Sequence, residues 1–99
     1  MTTEEMVELA GLLGLEPDND EGRAGVATFD YLLEWPGAGM VVEAMQARGW
    51  AVATNSSKRG HGCAMAGHGR HSNGQSEHAL PEAICRAALK ALRGEGVPS

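Results

Sequence analysis

The chain has 99 residues and a formal net charge of −5, which leaves room for one domain and too little charge to enforce disorder. Its 42% apolar fraction is skewed: 15 Ala and 14 Gly outnumber the 25 large apolar residues, so any core is small, stability is marginal, and disorder is a fair question. The longest apolar runs, only four residues, are far too short to span a membrane, and two cysteines, Cys63 and Cys85, are too few for a disulfide scaffold.

A first helix is expected over Thr3–Leu13. Thr2 and Glu5 have capping-box spacing, Met6, Leu9, Ala10 and Leu13 make one apolar stripe, and Gly14 is a natural left-handed stop. Residues 16–22 resist regular structure. Asp18 and Asp20 alternate like calcium ligands, but no Gly stands at the sixth position of such a loop. Residues 26–33 read as irregular, with a short strand or turn. A second helix is expected from Trp35 or Pro36 to Arg48, burying Ala38, Val41, Val42 and Met45.

Trp50–Ser56 alternates as a strand, with Trp50, Val52 and Thr54 on one face and Ala51, Ala53 and Asn55 on the other. Residues 57–60 read as a turn and Cys63–Ala66 as a short return strand. The polar run Arg70–His78 reads as a loop, so residues 57–78 are expected to be a flexible His- and Gly-rich hairpin region. The last helix is expected over Pro81–Arg93. Glu82, Arg86, Lys90 and Arg93 form its solvent stripe, and its other faces are apolar enough to be covered on most sides. Gly94 caps it, and residues 94–99 are expected to fray.

The last helix, Ala83-Ile84-Cys85-Arg86-Ala87-Ala88-Leu89-Lys90-Ala91-Leu92, resembles the C-terminal signature of the phage ABA sandwich domain family. Asp30-Tyr31-Leu32, Trp35, Val42-Glu43, Met45 and Gly49-Trp50 are similar to it as well, in the same order of elements. Between Gly60 and Asn73, where His and Gly are dense, the chain departs from that pattern. The resemblance implies an α+β fold, an α–β–α sandwich of three main helices and a small antiparallel sheet. It also implies a phage or prophage origin, and it brings no catalytic residues.

Three function classes follow. The first is a small accessory or interaction protein without enzymatic activity, in the cytoplasm of a bacterial host, since the N-terminus lacks the basic and apolar regions of a secretory signal. Its partner would be a host or phage protein, and the free edges of a short sheet favour a homodimer. The second is an inhibitor of a host defence system, anti-CRISPR-like in mode, acting through an acidic surface. Residues 1–35 carry nine acids and one base, residues 36–99 four acids and seven bases. Glu4, Glu8, Asp18, Asp20 and Glu21 are the partner-binding candidates on the acidic part. The third is a zinc module. His61, Cys63, His68 and His71 are the right ligand types within eleven residues, although the single residue between His61 and Cys63 suits one-loop chelation poorly.

No cofactor other than zinc is suggested. Cys63 beside a His lacks any further sign of an activated nucleophile. Gly62 and Gly67 have phosphate-loop spacing, but His68-Gly69 stands where Lys and Ser or Thr are required. An acidic chain argues against direct nucleic-acid binding.

Overall fold

A computed structural model describes residues 2–16, 18–19, 27–28, 30–94 and 97–98. Helix α1 is Thr3–Leu13. The Thr2 hydroxyl accepts from the Glu5 backbone N–H and the Glu5 carboxylate accepts from the Thr2 N–H, so two orphan donors are satisfied reciprocally. The predicted stripe of Met6, Leu9, Ala10 and Leu13 is buried. A two-residue ribbon, β1 (Asp18–Asn19) with β2 (Ala27–Thr28), follows, and then a 3-10 helix over Asp30–Leu33. Helix α2, Gly37–Ala47, buries Ala38, Val41 and Met45 and leaves Val42 half-buried.

The main sheet is an antiparallel meander. Strand β3 is Ala51–Ser57, β4 is Gly60–Gly67, β5 is Arg70–Ser76, and β6 (Val97–Pro98) pairs with the first two residues of β5. Two-residue turns join the long strands. At His68-Gly69 both residues have positive φ, 54° and 73°, the backbone of the tight turn whose twist matches its flanking strands. The register is unbroken over the long strands, with Thr54 facing Cys63 and Cys63 facing Gly74.

The structure corrects one expectation here. Arg70–His78 is not a loop, and residues 57–78 are not a loose hairpin: Arg70–Ser76 is a full strand in register with β4. Its inward residues are Ser72, Gly74 and Ser76, all buried although none is hydrophobic. The cause is the closeness of helix α3, Leu80–Leu92. A Cβ on Gly74 would stand 2.2 Å from the Ala83 carbonyl oxygen and 2.5 Å from the Ala87 nitrogen. The helix backbone rests on the strand backbone, and only small side chains fit between them. The hydroxyl of Ser72 donates to the Ala87 carbonyl at 2.8 Å across the same contact.

The α3 helix is buried on opposite sides. At 100° per residue, Ala83 and Ala87 share a face and Cys85 lies across the axis from them. The first pair meets β5, while the Cys85 thiol donates to the Leu32 carbonyl of the 3-10 helix. The helix therefore packs on β4 and β5 and also against α1, α2 and the 3-10 helix, which is why nearly all its non-stripe positions are buried. Three helices and an antiparallel sheet packed against them make an α+β fold, consistent with the expected sandwich. No described helix is long and apolar enough to cross a membrane.

Candidate binding surface

Antiparallel pairing sorts the sheet residues onto two faces. Val52, Thr54, Cys63, Met65, Ser72 and Gly74 look toward the helices. On the other face Ala51, Ala53, Ala64 and Ala66 are exposed, flanked by exposed Asn55, Asn73 and Gln75. None of the described helices covers this face. It is weakly apolar and edged with carboxamides. The alternation of Ala51, Ala53 and Asn55 was visible in the sequence, but nothing there distinguished an uncovered face from a thinly packed one.

The proposed zinc ligands do not converge. His61 and Cys63 share the helix-side face of β4, with Cys63 buried, while His71 lies on the open face of β5. His68 sits in the turn at the far end of β4, about 20 Å along the strand from His61. Among the described residues no group of three or more His, Cys, Asp or Glu side chains is placed to hold a metal. The physical reason is the strand itself: eleven residues that could curl around an ion as a loop are stretched out and turned back by the meander. The imidazoles have local partners. His61 Nδ1 is 2.8 Å from the Ser56 hydroxyl. His68 Nε2 donates to the Arg48 carbonyl at 2.7 Å, and its ring leans on Trp50 with centroids 5.4 Å apart.

Neither thiol is poised as a nucleophile. Burial pushes Cys63 up to about 11. Burial, with the nearby Glu82 carboxylate and Cys63 adding to it, pushes Cys85 up to about 12. A nucleophilic cysteine needs the opposite shift.

The acidic candidates divide. Glu4 is exposed, whereas Glu8 is held by the Arg93 guanidinium and ties α1 to the end of α3. Asp18 lies in β1, but its side chain, together with Asp20 and Glu21, falls outside the described residues.

Two polar grooves flank the sheet. One, of about 560 Å³, opens at the start of α3 and is lined by Asn55, Arg59, His61, Gln75, His78 and Glu82 among others. Here the Ser76 hydroxyl donates to Glu82 and accepts from the His78 and Ala79 N–H groups, and Glu82 pairs with Arg86. The other, of about 530 Å³, lies along Arg86, Leu89, Lys90 and Arg93. Sequence reasoning placed the cations of the second groove on one helical stripe but missed their contact with β5. Arg86 and Lys90 donate to the Gln75 and Asn73 carbonyls.

Comparison with known proteins agrees with this architecture. No curated protein and no solved structure matches the chain. A family model, the phage ABA sandwich domain, matches residues 15–89, from the end of α1 through most of α3. That span holds the Asp30–Trp50 motif, the last-helix motif as far as Leu89 and the three long strands, so the chain belongs to the phage ABA sandwich domain family.

Proposed function

We propose that this is a phage or prophage-derived accessory protein that works by binding another protein and not by catalysis. The supporting observation is the uncovered face of the sheet, where four exposed alanines lie among three exposed carboxamides. A small-molecule site is concave, with a few polar groups converging on one point. This face is mostly four exposed alanines, with Asn55 and Gln75 on one register row and Asn73 beside Gln75 at its side. It suits a second macromolecular surface that can approach closely over the alanines and exchange hydrogen bonds with Asn55, Asn73 and Gln75. The two buried thiols, both raised far above neutrality, fit the same reading.

The partner is a host or phage protein. In the inhibitor version of this reading the partner belongs to a host defence system, and its acidic contact relies on Glu4 more than on Glu8, which Arg93 already holds. The test is cross-linking of tagged protein in phage-producing cells, comparing the parent chain with Ala64→Arg. That side chain would project from the open face without entering the core. The partner recovered with the parent should fall at least tenfold with Ala64→Arg, at unchanged circular dichroism. If Ala64→Arg retains the partner and the phage phenotype, while His61→Ala with His78→Ala loses the phenotype, the polar groove is the working site and this proposal fails.

A further inference from the structure

The sheet has two long edges, and the fold treats them differently. In an antiparallel ladder, the N–H and C=O of alternate residues point toward the neighbouring strand or away from it. The Asn73 and Gln75 carbonyls are taken by Lys90 and Arg86 of α3, so these residues of β5 face outward. His71, the next in that series, pairs with Val97 of β6. The outer edge of β5 is thereby obstructed, by β6 at one end and by two cations on its outer carbonyls.

The register carries the same alternation across to β3. Ser72, Gly74 and Ser76 bond to Met65, Cys63 and His61 of β4. Gly62, Ala64 and Ala66 must then bond to Asn55, Ala53 and Ala51. Val52, Thr54 and Ser56 are left with N–H and C=O pointing away from the sheet. Among the described residues, no backbone bond outside the ladders reaches these three groups. Six of the seven β3 residues are exposed. The strand Ala51-Val52-Ala53-Thr54-Asn55-Ser56-Ser57 has no charge and no proline, and its pairing with β4 has no bulge. Those are the devices that normally keep a sheet edge from pairing.

We infer that β3 pairs antiparallel with β3 of a second copy of this chain, about a twofold axis at Thr54. In that register Thr54 faces its own counterpart, and Val52 and Ser56 face each other. Three outward-pointing residues meet three, and each facing pair exchanges two bonds, about six in all. The match also preserves the faces. Helix-side residues meet helix-side residues, both sets of helices lie on one side, and the two alanine-rich faces become continuous. No like charges meet, because the strand carries none. The occupant is a second copy because the match is self-complementary and because it closes. With β5 obstructed by β6 and the two α3 cations, β3 is the long edge left open, and twofold pairing through it stops at two where two open long edges would propagate. This inference goes beyond the functional reading above and stands without it.

The test is sedimentation equilibrium of the full chain up to the millimolar range, together with site-directed cross-linking. The parent should reach twice the chain mass. Thr54→Pro should remain a monomer, since it removes an outward N–H and leaves the bonds to β4 in place. Under mild oxidation, Thr54→Cys should cross-link to itself, because directly facing bonded residues are about 5.5 Å apart at Cα, within disulfide reach. The cross-link is made with Cys63→Ala, because Cys63 faces Thr54 within the chain. Ala53→Cys with Cys63→Ala should not cross-link, since its counterpart would be Asn55. A monomer at the highest concentration, a Thr54→Pro dimer, or cross-linking through position 53 in place of 54 overturns the inference. If Thr54→Pro does not fold, the two cysteine variants decide it.

Discussion

Strands β3 and β5 flank the same central strand, have the same length, and are both built from small and polar residues. By composition β3 is the more apolar, yet six of its seven residues are exposed, whereas Ser72, Gly74 and Ser76 of β5 are buried. The difference comes from α3. On β5 that helix approaches to backbone contact, donates lysine and arginine N–H groups to the outer carbonyls, and receives a serine hydroxyl from below. On β3 no comparable cover exists among the described residues. Burial here is decided by how near a neighbouring backbone comes, and small polar residues permit the closest approach.

The sharpest way to break this comparison is to add volume to each strand. Gly74→Val would drive a side chain into the Ala83 and Ala87 backbone and should cost about 3 kcal/mol or more, enough to unfold a small domain. Ala64→Val, on the open face, should change stability by no more than about 0.5 kcal/mol. Urea denaturation followed by circular dichroism measures both, and equal effects would sink the close-approach account. The same lift of α3 should uncover Cys63. In the intact fold burial raises the pKa of its thiol and shields it, so a thiol reagent should react fast with the Gly74→Val chain and slowly with the parent.

Ser72→Ala comes next. It removes the hydroxyl that reaches Ala87 but fills no space, and a loss of about 1 kcal/mol is expected in the same denaturation experiment. Replacing both Arg86 and Lys90 by Ala should cost about 1 kcal/mol, because Lys90 is exposed and the half-covered Arg86 gives up its pair with Glu82. It should also open the outer carbonyls of β5, and light scattering should then detect species larger than those of the parent at equal concentration. No growth in size would mean that the cations do not guard that edge.

A further effect lies away from both strands, at the start of α1. The Thr2 backbone N–H, and secondarily its hydroxyl, lower the Glu5 carboxyl below its ordinary range. A carboxyl lowered in the folded state contributes stability above its unfolded pKa and loses that contribution as pH falls through the folded value. Thr2→Ala should lower stability by about 1 kcal/mol near neutrality and flatten this acid-side decline only in part, because Ala keeps the backbone N–H. Stability at neutral pH unchanged by the substitution would remove the cap from the account.

The helices were legible because their signals are local. Thr2, Glu5 and Gly14 mark both ends of α1 within its own sequence, and the wide apolar surface of α3 already required cover on most sides. The two-residue turn at 58–59 and the faces of β3 were legible for the same reason. Strand β5 was not. Its inward positions hold serine and glycine, so the hydrophobic alternation that reveals a half-buried strand is missing. The metal candidates misled for a related reason. Spacing along a chain implies proximity in a loop, but on a meander it places His61 and His68 at opposite ends of β4 and His71 on the other face.

By itself, then, the sequence determined the helix boundaries to within a residue or two, the α+β class, and membership in a phage domain family through its last helix and the Tyr31–Trp50 segment. Its excess of alanine and glycine, which raised the question of disorder, is in part the material of the α3–β5 contact. Only the tertiary structure decided where those small residues are covered and where they stand open. The reason is physical. A glycine or alanine carries too little surface to say which way it faces, so its burial is set by the partner that comes to meet it: α3 for β5 and, as we propose, a second chain for the open edge of β3.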